Sequence, residues 1–193
     1  MCAEVVRFTP TNVGIFVASY EVLEGILEAG LESVLDRPVF CERMGMASRE
    51  NERLIRDFKS KADKGGAVLM GVQGGRSSEG VDYPDKTMLT VVIVGVPYAR
   101  PTPRIRAQAR FYEKFSGRGR ELAYVLPAMR KASQAAGRPV RSLSDRGVAI
   151  FLDYRFSTTY CKRFLPYWIS RAAKVLPVDD EALAKELILF YGI

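Results

Sequence analysis

The sequence contains no histidine, and this absence removes several classes of enzyme from consideration. Histidine is the commonest general base and the commonest metal ligand in proteins. A Ser-His-Asp hydrolase, a Cys-His protease and a zinc site built on histidine are therefore excluded.

Cysteine is also scarce, with Cys2, Cys41 and Cys161 far apart along the chain. One copy of the chain cannot supply four thiolates to a zinc or iron–sulfur site, so we predict no metal site here. We expect these thiols to be reduced and to lie in or near the core of an intracellular protein.

Long apolar runs are missing too. None reaches the roughly 18 residues of a membrane-spanning helix, and the N-terminus lacks the charged-then-apolar pattern of a signal peptide. We expect a soluble, cytoplasmic protein that does not bind membranes.

The 193 residues, 48% of them hydrophobic, are enough for one domain with a substantial core. The net charge of +7 favours a polyanionic partner, although a basic soluble domain without one has the same balance. Short apolar runs along the chain are typical of strands buried on both faces. They lie at Val13 to Ala18, Pro38 to Cys41, Ala67 to Val72, Thr90 to Val94 and Gly147 to Leu152.

Helical patterns separate these runs, and the alternation predicts an α/β fold with a parallel sheet covered by helices on both faces. The helices are expected at Tyr20 to about Leu35, Arg49 to Ala62, Arg104 to Phe115, Leu126 to about Ala136, and Asp179 to Tyr191. In such sheets ligands bind beyond the carboxyl ends of the strands. The loops that follow the strands are therefore the first places to look for a site.

One such loop, Gly74 to Asp85 (GGRSSEGVDYPD), follows the strand that ends at Val72. Its glycines let backbone amides approach a phosphate, and Ser77 and Ser78 can donate to phosphate oxygens. Asp82 can accept a hydrogen bond from a ribose hydroxyl. On its residues alone, the segment is weak evidence for a phosphate site, and a plain surface loop is the favoured interpretation.

A second segment, Gln134 to Arg141 (QAAGRPVR), carries Arg138 and Arg141 three residues apart. In helical or turn geometry both project to one side, where two guanidinium groups can clamp a polyphosphate. The alternative is a solvated basic helix end, which is favourable near a helix C-terminus.

Several stretches, in this order and spacing, closely resemble the C-terminal helicase domain of the XPD family of superfamily 2 helicases, which includes the bacterial DinG relatives. They are NVGIFVASYEVLE, GGRSSEGVDYPD, VIVGVPYARP, PAMRKASQAAGRPVRS and DRGVAIFLDYRF. The resemblance covers roughly residues 11 to 170, and the style of the sequence is that of an archaeal XPD.

The resemblance implies a RecA-like α/β fold and an ATP-dependent, 5′-to-3′ DNA helicase of the kind used in nucleotide excision repair. Residues 1–193 would form a single second motor domain, a fragment of that larger protein. ATP and Mg²⁺ would be shared with the first motor domain, which in this family carries the phosphate loop and the acidic magnesium box. The family's iron–sulfur cluster would belong to the parent protein only.

Three segments resemble helicase motifs: Val13 to Tyr20 motif IV, Gly74 to Pro84 motif V, and Gln134 to Arg141 motif VI. By this resemblance, Arg138 and Arg141 would face the γ-phosphate as arginine fingers. The residues implied at the nucleotide are Gln134, Glu79, Gly80 and Asp82, and those implied at the DNA backbone are Ser19, Arg76 and Ser77.

The departures from the family pattern matter as well. The sequence contains no GxxxxGK[ST] phosphate loop, no DEAH-type box and no iron–sulfur cysteines. We therefore expect that the isolated chain binds ATP weakly and does not hydrolyse it.

A basic stripe of Arg106, Arg110 and Lys114 runs along the helix from Arg104 to Phe115. Its spacing of four residues fits a track for the phosphates of single-stranded DNA, and an ordinary charged surface is the alternative. The apolar residues expected to cover roughly the opposite side are Ile105, Phe111, Tyr112 and Phe115.

Two other functions fit the same sequence. The chain can be a docking module without activity of its own, which binds repair-complex proteins through the arginine-rich surface near Arg155 to Arg171. A stand-alone nucleotide-binding domain of this fold would bind ATP tightly, which the absent phosphate loop argues against.

Overall fold

A five-stranded parallel sheet forms the centre of the protein. The computed structural model describes residues 1–140 and 145–193, apart from the side chain of Asp85. The strands are β1 (Val13–Val17), β2 (Val39–Cys41), β3 (Val68–Val72), β4 (Thr90–Val94) and β5 (Val148–Leu152). Their spatial order is β2-β3-β1-β4-β5, and each neighbouring pair is parallel. The predicted strands and the predicted α/β class are thus confirmed.

Helices join and cover the strands. They are α1 (Cys2–Arg7), α2 (Tyr20–Glu28), α3 (Ser48–Lys59), α4 (Pro103–Ser116), α5 (Leu126–Ala136), α6 (Thr159–Lys162), α7 (Tyr167–Ala172) and α8 (Asp180–Tyr191). A π-helical turn at Glu121–Val125 leads directly into α5. The sequence did not predict α1, α6 and α7, because helices of four to six residues are too short to show a periodicity. No helix of the described residues is long and apolar enough to cross a bilayer.

The second helix is shorter than predicted. It ends at Glu28 rather than near Leu35, and Gly30 follows with a φ of +82°. That left-handed conformation stops an α-helix and is easy only for glycine. The chain continues as a 3-10 turn at Leu31–Val34, so the leucine spacing spans two elements rather than one.

The central strands β3, β1 and β4 are buried on both faces, whereas the edge strands β2 and β5 are half-buried. Successive side chains of a strand point to opposite sides, so each central strand contributes to two cores. On one face, Phe16, Leu69 and Ile93 lie in a core that contains residues of α3, α5 and α7. On the other, Ile15, Met70 and Val92 lie in a core that contains residues of α1, α2 and α8. This two-sided burial explains why the strands are continuous apolar runs.

The helix α4 lies outside both cores, since none of its 14 residues is buried. Ile105 and Tyr112 are half-buried, as expected of the face opposite the basic stripe. Phe111 and Phe115, however, are 57% and 77% exposed and contact each other, with ring centroids 4.7 Å apart. The two rings therefore form an exposed aromatic pair on the helix rather than a part of the core. The helix packs mainly against the π-helical turn at Glu121–Val125.

Asn12, just before β1, joins three separate segments. Its Nδ2 donates to the carbonyl oxygens of Phe58 and Thr87, each at 3.0 Å, and its Oδ1 accepts from the amide of Ala67 at 2.8 Å. The side chain is fully buried. It therefore supplies the partners of three backbone groups that the sheet ladder does not pair.

We predict that Asn12→Ala lowers the free energy of unfolding by about 2–4 kcal/mol, because it leaves buried backbone groups without partners. Urea denaturation followed by circular dichroism measures this. The matched control is Gln108→Ala, an exposed amide on α4, with an expected change of about 0.5 kcal/mol or less. Equal changes in the free energy of unfolding for the two variants would contradict the proposed role of Asn12 in joining the three segments.

Candidate functional site

The ends of β1, β2 and β3 bring three chain segments together at one edge of the sheet. In a parallel sheet all carboxyl ends lie on the same side, where ligands of such folds bind. Ser19 and Tyr20 follow β1, Glu42 follows β2, and the segment 73–84 follows β3. We call the segment 74–83 the motif V loop, and it forms the centre of the candidate site.

Glu42 lies beneath the motif V loop, and the sequence did not identify it as a site residue. Its Oε1 accepts from the hydroxyl of Tyr20 at 2.9 Å and from the amide of Arg76 at 3.3 Å. Its Oε2 accepts from the amide of Ser77 at 3.2 Å. Only 4% of Glu42 is exposed. Its carboxylate therefore occupies the position at the loop amides where the sequence predicted a phosphate.

The two serines of the loop are buried as well. The Ser77 hydroxyl donates to Oδ1 of Asn51 at 3.2 Å, and the Ser78 hydroxyl donates to the carbonyl of Val72 at 2.8 Å. Neither hydroxyl is exposed. The Ser77 side chain thus points into the protein and is bonded to Asn51, and its role at DNA stays a prediction.

Arg76 and Ser19, by contrast, lie at the surface. The Nη1 of Arg76 donates to the carbonyl of Met46 at 3.2 Å and to Oγ of Ser48 at 2.9 Å. Ser19 caps α2, and its hydroxyl oxygen accepts from the amide of Val22 at 3.4 Å. Both side chains can be reached by a ligand, and their role at DNA stays a prediction.

Tyr20 links the segment after β1 to Glu42. Burial, together with the hydrogen bond to the Glu42 carboxylate, raises the pKa of Tyr20 to about 12. The phenol therefore stays protonated at physiological pH and remains the donor of this bond.

Arg138 joins the end of α5 to the motif V loop. Its Nε donates to the carbonyl of Ser78 and its Nη1 to the carbonyl of Val81, both at 2.7 Å. The hydroxyl of Tyr83 donates to the carbonyl of Ser77 at 2.7 Å within the same loop. Arg138 is half-buried, neither in the hydrophobic interior nor remote from the loop. The segments that resemble motifs V and VI therefore form one hydrogen-bonded unit.

The other residues predicted at the nucleotide lie around this unit. Gln134 is exposed on α5, Glu79 is half-buried, and Gly80 and Asp82 are exposed in the loop. Gly80 has a φ of +75°, a conformation that favours glycine. Arg141 lies outside the described residues. Within 1–140 and 145–193, no group of three or more cysteine, aspartate or glutamate residues is placed to hold a metal ion.

Gln73 is a second residue that the sequence analysis missed. Its Nε2 donates to the carbonyl of Gly95 at 2.9 Å and lies 3.3 Å from the carbonyls of Phe16 and Val94. It is 3% exposed, and its Oε1 is a buried oxygen that has no partner among the described residues. Gln73 thus ties the start of the motif V loop to the ends of β1 and β4. The signal in the sequence is a single amide directly after a buried apolar run.

The basic stripe of Arg106, Arg110 and Lys114 faces solvent on α4. The Nε of Arg106 also donates to the carbonyl of Pro101 at 3.0 Å, which orients that side chain at the start of the helix. Arg118, which follows the helix, donates to Glu121 at 2.6 Å. The stripe is therefore accessible to a polyanion, and its role at DNA stays a prediction.

A comparison with known protein families matches residues 2–172 to the model described as "Helicase C-terminal domain". The chain belongs to this family. The resemblance read from the sequence motifs is thereby confirmed.

Relatives of this helicase C-terminal domain are much longer proteins. The XPD helicase subunit of general transcription and DNA repair factor IIH from Dictyostelium discoideum is 32% identical over 178 residues, which cover 88% of this chain and 23% of the relative. Regulator of telomere elongation helicase 1 from Mus musculus is 30% identical over 191 residues, covering 90% of this chain and 16% of the relative. The chain spans less than a quarter of the length of these relatives.

Solved structures agree on the fold of the helicase C-terminal domain. An XPD helicase aligns with a TM-score of 0.64 and 25% identity, covering 83% of this chain and 28% of that one. The C-terminal domain of the DEAD-box protein Dbp5 aligns with a TM-score of 0.54 and 19% identity, covering 96% of this chain and 87% of that one. The predicted RecA-like fold is confirmed.

We predict that Gly75→Ala lowers the free energy of unfolding by about 1–3 kcal/mol through overpacking. A Cβ at Gly75 would lie 2.7 Å from Oε1 of Glu42 and 2.8 Å from the carbonyl of Val72. The matched control is Gly25→Ala in α2, where a Cβ meets nothing within 4 Å. That control is expected to raise stability by about 0.5–1 kcal/mol, because alanine is the better helix former. Thermal denaturation compares the two, and a stable Gly75→Ala protein would argue against the tight fit of Glu42.

Proposed function

We propose that this helicase C-terminal domain is the second motor domain of an ATP-dependent, XPD-like DNA helicase that moves 5′ to 3′. In this proposal it contributes arginines to an ATP molecule held mainly by a first motor domain, and it forms part of the track for single-stranded DNA. The repair role of the XPD relative makes nucleotide excision repair the expected context.

The observation that carries the proposal is the pair of hydrogen bonds from Arg138 to the motif V loop. An arginine that acts across a domain cleft must be held in place by its own domain, since misplacement lowers catalysis steeply. Two carbonyl bonds do not exhaust the five N–H donors of a guanidinium. Arg138 can therefore anchor the loop and still present positive charge to the γ-phosphate, the role that the proposal also gives to Arg141.

The proposed cycle couples nucleotide state to the distance between the two motor domains. ATP on the first domain attracts the arginines and closes the cleft, where they stabilise the charge that develops during phosphoryl transfer. Hydrolysis and phosphate release remove that attraction and let the cleft open. Because Arg138 is bonded to the motif V loop, movement of the arginine is passed to that loop and to the DNA contacts beside it.

ATP and Mg²⁺ are shared with the first motor domain in this proposal. The nucleotide side of this chain consists of Gln134, Glu79, Gly80 and Asp82 around Arg138. Mg²⁺ would accompany the phosphates and neutralise part of their charge, held by acidic residues of the first domain. An iron–sulfur cluster would belong to the parent protein and not to this chain.

A docking module without activity of its own is the second candidate, and exposed aromatic residues favour it. Tyr154, Tyr167 and Trp168 are exposed near Arg155 and Arg171, and aromatic residues and arginine are enriched at protein interfaces. A DNA gel shift with and without the first motor domain separates the two candidates. A motor half gains DNA affinity when the first domain is added, whereas a docking module does not.

We predict that Arg138→Ala in the full-length helicase lowers the kcat of ATP hydrolysis by about 10³-fold or more, the range for an arginine finger. Steady-state phosphate release measures the rate. Arg130→Ala is the matched control, since Arg130 is exposed on the same helix, and we expect less than about a twofold change. ATP turnover by the isolated chain that is lost with Arg138→Ala would contradict a site shared between two domains.

We predict that the double variant Arg106→Gln and Arg110→Gln weakens binding of single-stranded DNA to a similar degree for all sequences. Loss of two phosphate contacts should flatten the slope of log K against log salt by roughly 1.4. Fluorescence anisotropy over a salt series measures this. The control replaces Arg7 and Lys185, exposed on α1 and α8 across the sheet, with glutamine. An unchanged affinity at low salt for the stripe variant would remove α4 from the DNA path.

A further inference from the structure

We propose that Glu42 is a positioning residue that holds the two DNA-contacting segments of this domain in one arrangement. The segments are the one after β1, with Ser19 and Tyr20, and the start of the motif V loop, with Arg76. The inference rests on the proposed function, because it assumes that these surface segments bind single-stranded DNA.

The geometry brings both segments to a single carboxylate. Oε1 of Glu42 accepts from the Tyr20 hydroxyl on one side and from the Arg76 amide on the other, at 2.9 and 3.3 Å. Oε2 accepts from the amide of Ser77 at 3.2 Å. The ladder between β1 and β3 ends at Val17 and Val72. Beyond it, the shared acceptor links Tyr20 to Arg76.

Two glycines make room for the carboxylate of Glu42. A Cβ at Gly71 would lie 2.9 Å from Oε2, and a Cβ at Gly75 would lie 2.7 Å from Oε1. Gly71 in β3 and Gly75 in the loop therefore allow the backbone to approach the side chain of Glu42. A buried carboxylate is tolerated only when hydrogen bonds replace its water, and bonds to an ionised acceptor are stronger than neutral ones.

Arg76 connects the buried carboxylate of Glu42 with the surface of the protein. Its amide is held by Glu42, while its guanidinium bonds to Met46 and Ser48 at the start of α3. Loss of the carboxylate would release the backbone from which this side chain projects. On the other side of the loop, Arg138 holds the carbonyls of Ser78 and Val81. The motif V loop is thus held from the DNA side by Glu42 and from the nucleotide side by Arg138.

The test is the variant Glu42→Gln in the 193-residue chain, assayed by anisotropy with labelled oligothymidine at low salt. The variant gains one unit of positive charge, so electrostatics alone predicts tighter DNA binding. A positioning role predicts the opposite sign, because the glutamine amide faces backbone N–H groups and cannot accept from both. We expect binding weaker by roughly tenfold, the effect of losing a bond to a charged group.

Three control variants separate charge and stability from position. Glu24→Gln makes the same charge change on the exposed side of α2 and should bind as tightly as the unaltered chain or more tightly. Tyr20→Phe removes one hydrogen bond to Glu42 without a charge change and should lower the DNA affinity about threefold. Tyr191→Phe removes a bond to Thr90, at the opposite edge of the sheet, and should lower stability without changing DNA affinity.

The double variant of Tyr20 and Glu42 completes the test. If Tyr20 and Glu42 act through one arrangement, Tyr20→Phe should lower the DNA affinity of the Glu42→Gln protein by less than about twofold. Circular dichroism checks that each variant is folded, and if Glu42→Gln does not fold, the Tyr20→Phe and Tyr191→Phe pair decides. Unchanged or tighter binding by Glu42→Gln, additive losses, or equal losses for both tyrosine variants would overturn the inference. If the unaltered chain itself fails to bind single-stranded DNA, the proposed DNA track fails, and the inference fails with it.

Discussion

The backbone groups of the motif V loop have to find hydrogen-bond partners outside any helix or strand, and the candidate site depends on how they do so. A buried backbone group without a partner is costly, so such a loop is stable only where other elements supply donors and acceptors. Glu42 accepts from the amides at its start, while Arg138 and Tyr83 donate to carbonyls further along. These partners come from the end of β2, the end of α5 and the loop itself. The loop therefore has one conformation only when the whole sheet edge is assembled.

This constraint links two surfaces with different proposed partners. The side of the loop near Tyr20 and Arg76 is continuous with the segments proposed to bind DNA, and the side near Arg138 with those proposed to face ATP. A loop held at both ends by ionic groups can pass a displacement from one side to the other. That property suits a motor domain, in which nucleotide closure and DNA grip must change together.

Much of the fold was predictable, and the reason lies in burial. Strands covered on both faces must be apolar throughout, so β1, β3 and β4 are visible as continuous runs of apolar residues. Helices of 11 to 14 residues, such as α3, α4 and α5, show a clear periodicity or well-marked ends. The predicted end of α2 was wrong, because a glycine with a positive φ ends the helix although the leucine spacing continues beyond it. The exposure of Phe111 and Phe115 could not be predicted, because a helical pattern does not reveal which of its faces meets the core.

The sequence alone determined the strand order along the chain, the family motifs and the positions of Arg138 and the motif V loop, because these depend on local residue types and spacing. Tertiary structure decided which groups meet: that Ser77 points inward to Asn51, that Gln73 spans two strand ends, and that Glu42 fills the amide pocket of the loop. Glu42 and Ser77 are 35 residues apart, and a hydrogen bond over that distance leaves no periodic signal in the sequence. Only the crossover that places β2 next to β3 brings that carboxylate to the loop.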